Sequence, residues 1–136
     1  MAMYDFGRIG HIFRNFCGNQ PPKLSFTKYI VEMFFSFELA FHPSGFHLLV
    51  GFPDRLRLLN ILLNDLRIQT EFNGIRGCNE CKFANGGHLF ACVVHNDKIQ
   101  IISTWNGQKL HNLRGHTQTV NSLCFTSTDE FLISAG

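Results

Sequence analysis

The sequence predicts an all-β chain of repeated four-stranded antiparallel blades, two complete and a third half-built, and three observations carry that reading. Three segments align at a constant period: FELAFHPSG from Phe37, NECKFANGG from Asn79 and NSLCFTSTD from Asn121 share phenylalanines Phe41, Phe83 and Phe125, spaced 42 residues apart. Each segment runs into a turn signal and then into short apolar runs, some of which alternate with the period of two that a half-buried strand requires. No helix of ordinary length fits between residues 37 and 136.

The elements follow in order. On each first strand the residue two before the shared phenylalanine lies on the same face, which puts Leu39, Cys81 and Leu123 at one inner position. Phe41, Phe83 and Phe125 are therefore expected to be equivalent core residues. Turns at Pro43-Ser44-Gly45, Asn85-Gly86-Gly87 and Thr126 to Asp129 lead into the second strands HLLVG, HLFACVV and FLISAG. Turns at Pro53-Asp54 and Asn96-Asp97 lead into the third strands RLRLLN and KIQIIS. Fourth strands follow at Leu66 to Phe72 and Lys109 to Leu113, and a Gly115-His116 pair precedes the next first strand. Blades are expected over 34–77, 78–116 and, in part, 117–136, behind a leader of residues 1–33. In the leader, Phe6, Ile9, Phe13 and Phe16 recur at helical spacing between Asp5 and the Gly18-Asn19 and Pro21-Pro22 breaks. A short amphipathic helix and a poorly ordered leader are the two readings of that stretch.

Composition narrows the function. Of 136 residues, 45% are apolar and 16% charged, which suits a globular chain and exceeds the apolar content of a disordered one. A net charge of +2 is too small for a protein that binds nucleic acid by neutralising phosphates. The longest apolar run, Tyr29 to Phe41, is too short to span a bilayer and contains Glu32 and Glu38. No secretory signal is expected, and five cysteines at irregular spacing favour a reducing, cytoplasmic compartment. Neither nucleic acid nor membrane is expected as a partner, and no cofactor is expected.

Four constellations invite chemistry. Cys78-x-x-Cys81 with His88 and His95 suggests zinc or a thiol-dependent enzyme, but residues three apart on a strand point to opposite faces, and Cys81 takes the place of Leu39 and Leu123. Ser134, His116 and Asp129 supply the residue types of a hydrolytic triad without the sharp turn that exposes a nucleophile. Asn85-Gly86-Gly87 reads as a hairpin turn because no Lys-Ser/Thr pair follows, as a phosphate loop demands. Arg55 and Arg57 alternate with leucines, which marks a solvated strand face or a surface for an acidic partner. The expectation is a binding protein rather than an enzyme, with a zinc- or thiol-dependent enzyme built on Cys78, Cys81 and His88 as the alternative.

The stretches HPSG with Val50 to Leu58, Arg76 to Cys81 and Asn85 to Ala91 carry a resemblance over about residues 34–136 to the WD-repeat propeller family, and within it to axonemal members associated with cilia and flagella. The resemblance implies a partial WD-repeat propeller whose polar chain runs from the His of Gly115-His116 through Ser134 to an aspartate of the next turn. Asp97 holds that turn position in the second blade and Asp54 lies in the matching turn of the first; Leu59-Asn60 and Ile102-Ser103 replace the family's Trp-Asp pair. It further implies a non-catalytic scaffold in the cytoskeleton of a motile cilium or flagellum. The implied partners are other axonemal proteins, such as inner dynein arm, regulatory-complex or microtubule-associated components, and further blades or chains that complete the ring. Two and a half blades fall short of the four to eight that close a propeller. Two consequences are expected: an uncovered apolar face at each end of the stack with self-association, or the behaviour of a truncated fragment without independent function.

Overall fold

The computed structural model describes residues 24–33 and 35–136. Helix α1 (Leu24–Met33) precedes ten antiparallel strands in three sheets. The first sheet is β1 (Glu38–Phe41), β2 (His47–Gly51), β3 (Leu56–Leu62) and β4 (Asp65–Phe72), hydrogen-bonded in chain order. The second is β5 (Cys81–Phe83), β6 (Leu89–Val94), β7 (Lys98–Ser103) and β8 (Lys109–Leu113), and the third pairs β9 (Ser122–Phe125) with β10 (Leu132–Ala135). These are two four-stranded blades and the inner half of another.

The period of 42 is visible in the backbone. The first hairpin turn closes through His42 N–H to His47 O and Gly45 N–H to His42 O; the second through Ala84 to Leu89 and Gly87 to Ala84; the third through Thr126 to Phe131 and Asp129 to Thr126. All six bonds measure 2.9 or 3.0 Å. Gly45, Gly87 and Asp129 hold the same place with φ of 79°, 73° and 60°. A left-handed residue is needed there, and glycine or aspartate meets that need at small steric cost.

Each sheet has a leading face toward the preceding element and a trailing face toward the following one. Leu49, Leu56 and Leu58 on the trailing face of the first sheet, with Phe72 and Ile75, close over Cys81, Phe90, Cys92, Val94 and Ile102 on the leading face of the second. Ala91, Val93, Ile99 and Ile101 on the trailing face of the second sheet meet Leu123, with Leu89, Phe125 and Leu132 at the margin. Backbone bonds reinforce both seams at corresponding places: Gly77 N–H to Pro53 O at 3.0 Å, and Val120 N–H to Asn96 O at 2.6 Å.

Two expectations change. Phe41, Phe83 and Phe125 each end a first strand and pair with Leu48, Phe90 and Leu132 in turn. Their burial differs: Phe83 and Phe125 are half-buried, while Phe41 is 38% exposed because no preceding sheet covers its corner of the first blade. The first blade nevertheless lacks a bare apolar face. Helix α1 packs Tyr29, Ile30 and Met33 onto Leu39, Leu48, Val50, Leu59, Ile61 and Leu66. The expected helix around Phe6 to Phe16, and Cys17, lie outside the described residues.

Arg57 also departs from the solvated-face reading. It reaches Glu32 of α1 and Glu71 of β4, each at 2.9 Å, and its side chain is only 12% exposed. Its guanidinium further rests 5.6 Å from the centre of the Phe52 ring. The residue that was free to face an acidic partner has acidic neighbours in its own chain.

Candidate functional site

The polar side chains with defined geometry gather where sheet meets sheet. At the first seam, His42 sits at the end of β1 and is 8% exposed. Its Nε2 lies 3.0 Å from Gly87 O across the seam, and Nδ1 lies 3.1 Å from the Ser44 amide, which can only donate. The ring is therefore the neutral tautomer with the proton on Nε2. Ser44 Oγ stands 2.7 Å from the same Nδ1. Thr104 Oγ1 donates to Gly87 O at 2.8 Å, so one carbonyl of the second blade receives both groups. Phe83, His47 and Trp105 surround the imidazole at ring distances of 5.1 to 5.3 Å. Burial pushes the His42 pKa below the ordinary histidine value, the Gly87 carbonyl opposes that shift, and neighbouring His47 adds to it.

The second seam is clasped differently. The Asp129 carboxylate, on the turn between β9 and β10, accepts from Asn85 N–H at 2.7 Å, Gly86 N–H at 2.8 Å and Asn85 Nδ2 at 2.9 Å. Asn85 Nδ2 also donates to Thr126 O at 2.8 Å. The two backbone amides hold the carboxyl below the usual carboxylate range, and nearby His88 contributes in the same direction. Asp129 is thereby separated in role from Ser134 and His116, whose Oγ and Nε2 meet at 2.7 Å deeper in the seam. A cleft of about 250 Å³ opens beside that pair, lined by Ile99, Leu113, Arg114, Gly115 and Leu132.

Asp54 is exposed and pairs with Arg55 at 3.8 Å; Asp97 is half-buried between β6 and β7. Second-strand positions matching Ser134 are held by Cys92 and Val50, which explains why no such polar pair forms in the first two blades.

Cys78 and Cys81 are fully buried in the first seam, whereas His88 is exposed on the turn between β5 and β6. The structure brings Cys78 and Cys81 together with Cys92, the cross-strand partner of Cys81, instead of with a histidine. Hydrogen bonding to Cys78 and then burial push the Cys81 and Cys92 thiols up, and the same bonds pull Cys78 down. Cys78 also donates to Glu80 O at 3.5 Å. The four described cysteines are free thiols. Among the described residues no group of three or more His, Cys, Asp or Glu side chains is arranged to hold a metal ion, and no helix is long and apolar enough to cross a membrane.

Sequence reasoning missed His42, Thr104 and Trp105, and placed Arg57 on a solvated face. His42 left no signal in the sequence: its partner Gly87 lies 45 residues away, and only the folded chain shows that a Cβ there would collide with His42 Nε2. Only a glycine admits that contact.

Two antiparallel four-stranded blades followed by half of another, repeating every 42 residues, define part of a WD-repeat propeller. Residues 107–136 match the WD domain, G-beta repeat family, a stretch that joins β8 of the second blade to β9 and β10 of the next. The matched repeat thus straddles the second seam. The chain is similar to cilia- and flagella-associated protein 57 of Mus musculus, 44% identical over 101 residues, which are 74% of this chain and 8% of that protein. It is 38% identical over 112 residues to cilia- and flagella-associated protein 57 C of Tetrahymena thermophila, covering 74% of this chain and 9% of the relative. Cilia- and flagella-associated protein 57 A of the same organism is 40% identical over 78 residues, 57% of this chain and 6% of the relative. The chain spans less than a tenth of the length of each of these curated relatives.

Proposed function

We propose that the chain is a non-catalytic, cilia- and flagella-associated WD-repeat protein that acts as a scaffold in the axoneme, in the cytoskeletal rather than the soluble cytoplasmic pool. Its partners in this reading are other axonemal proteins, with inner dynein arm, regulatory-complex or microtubule-associated components as the kinds that such a location offers. The observation that carries the reading is the 38–44% identity, over about three quarters of the chain, to relatives whose names place them in cilia and flagella. The architecture supports it. Rigid sheets hold the turns between strands in place, which suits protein contacts made through those turns. The structural positions assigned to Gly115, His116, Ser134, Asp54 and Asp97 act in this proposal by shaping the blade edges, not by binding a ligand.

Fractionation tests it. A tagged chain in ciliated cells is expected to remain with detergent-extracted, salt-washed axonemes and to be depleted from the soluble pool. Deleting residues 131–136 is expected to weaken that retention more than alanine at Cys78 and Cys81. Uniform soluble distribution would overturn the reading.

A further inference from the structure

The chain holds three Asn-Gly pairs: Asn73-Gly74, Asn85-Gly86 and Asn106-Gly107. Such a pair can react with itself, because the backbone nitrogen of the glycine, once deprotonated, can attack the asparagine Cγ with no Cβ on the glycine to hinder it. All three asparagines are exposed, so solvent access does not separate them. Their hydrogen bonds do. Gly86 N–H donates to Asp129 Oδ2 at 2.8 Å, while Asn85 Nδ2 donates to Asp129 Oδ1 and Thr126 O at 2.9 and 2.8 Å. Gly107 N–H donates to Ser103 O at 3.0 Å, and Asn106 Oδ1 accepts from Gln108 N–H at 2.9 Å. In both pairs the attacking nitrogen and the side-chain amide are committed to other partners. At the remaining pair, Gly74 N–H has no acceptor and the Asn73 side chain no partner among the described residues. Charge adds to the contrast. A Cβ on Gly74 would stand 3.9 Å from Lys109 Nζ, so a cation lies near the nitrogen that must lose its proton, whereas Gly86 N–H touches the Asp129 carboxylate, which opposes that loss.

We infer that Asn73 is a self-modifying site, which converts to aspartate or isoaspartate while the fold protects Asn85 and Asn106. The Gly74 nitrogen gives its proton to hydroxide and bonds to Asn73 Cγ; the Cγ–Nδ2 bond breaks, and ammonia leaves with a proton taken from water, closing a cyclic imide. Water then opens the ring. Opening at Cγ yields aspartate, and opening at the α-carbonyl yields isoaspartate, so that water is consumed and ammonia released in equal amount. Either product places a carboxylate in the loop that Lys109 approaches. Isoaspartate also lengthens the main chain by one carbon just before Ile75, a buried residue of the first seam. Asp129 thereby has a second consequence besides clasping the second seam: it guards Asn85-Gly86. The inference is independent of the ciliary reading.

Peptide mapping by mass spectrometry tests it on the full chain held at mildly alkaline pH, with the same chain in denaturant as the reference in which local sequence alone acts. In the native chain Asn73 is expected to convert roughly ten times faster than Asn85 or Asn106, and in denaturant the three rates are expected to draw together. Asp129→Gly removes the carboxylate and suits the φ of 60° at that turn. It is expected to raise the Asn85 rate toward its denatured value and to leave Asn106 unchanged. Comparable native rates at the three pairs, or slower conversion at Asn73 than at Asn85, would overturn the site. An Asn85 rate indifferent to Asp129→Gly, or equal acceleration of Asn85 and Asn106 in that variant, would overturn the guard.

Discussion

The two seams share a backbone frame and differ in nearly everything that fills it. Among the described residues the first encloses eleven buried side chains, among them Phe72 and Phe90 in edge contact at 5.3 Å, with half-buried Phe83 set 5.8 Å from Phe90. The second encloses six, with no buried aromatic ring, and retains an open cleft. The first is clasped by a neutral, buried imidazole on Gly87 O, the second by a half-buried carboxylate on two backbone amides. The lesson is that a repeat of 42 residues specifies where turns and strands fall, while the side chains grafted on it decide which groups clasp one blade to the next. The first seam joins two four-stranded sheets, and the second joins a four-stranded sheet to the pair β9–β10, so fewer side chains meet there.

The largest expected effect comes from Phe90, fully buried in the first seam: alanine there should cost about 3 to 5 kcal/mol. Leu123→Ala in the second seam should cost less, about 2 to 3 kcal/mol, since its neighbours are fewer and freer to relax. Chemical denaturation of the two variants compares them directly, and a larger loss at Leu123 would break the asymmetry. Phe41→Ala, at an exposed corner, should fall well below both.

Gly87→Ala is next. A methyl group there meets His42 Nε2 and sits on backbone at φ 73°, so strain and the lost hydrogen bond together should cost about 2 kcal/mol. The same substitution at Gly45, where a Cβ meets nothing within 4 Å, isolates the backbone share.

Acid should weaken the seams in separate steps. His42 has a lowered pKa in the folded chain, so folding favours its neutral form. That contribution is whole above about pH 6.5 and drains as pH falls through the folded-state value. Protonation would place a second N–H against the donating Ser44 amide. Thermal unfolding from pH 8 to 5 should therefore decline more steeply for the unaltered chain than for His42→Gln, and parallel slopes would count against the clasp. Asp129 is also lowered, so its contribution persists through that range and is lost only below the ordinary carboxylate pKa. Its hydrogen bonds lie at the surface, and Asp129→Asn should produce the smallest effect of the series, seen as faster amide exchange at Asn85 and Gly86 with β6 unchanged.

Much of this architecture was legible in the residues. Turn chemistry and period-two alternation are local signals, so the strands, the hairpin at Asn85-Gly86-Gly87 and the inner row Leu39, Cys81, Leu123 could be read directly, and the last three are buried. The seams were not. His42 meets Gly87 and Asp129 meets Asn85 across 45 and 44 residues of chain, and no local pattern encodes which side chain crosses a gap between sheets. Arg57 looked solvated because its period-two neighbours describe only its own strand, and its partner Glu32 belongs to a helix hidden inside an apolar run. Cys92 joined the buried thiols through strand pairing with Cys81, a register visible only once β5 and β6 are placed together.

The gradient of cohesion along the stack is tested most directly by residue-resolved amide hydrogen exchange of the intact chain at neutral pH. Amides of β6, hydrogen-bonded between β5 and β7 and buried on both faces, should exchange orders of magnitude more slowly than those of β10, which has a single neighbour. Equal protection of Leu89–Val94 and Leu132–Ala135 would contradict a fold whose cohesion centres on the first seam.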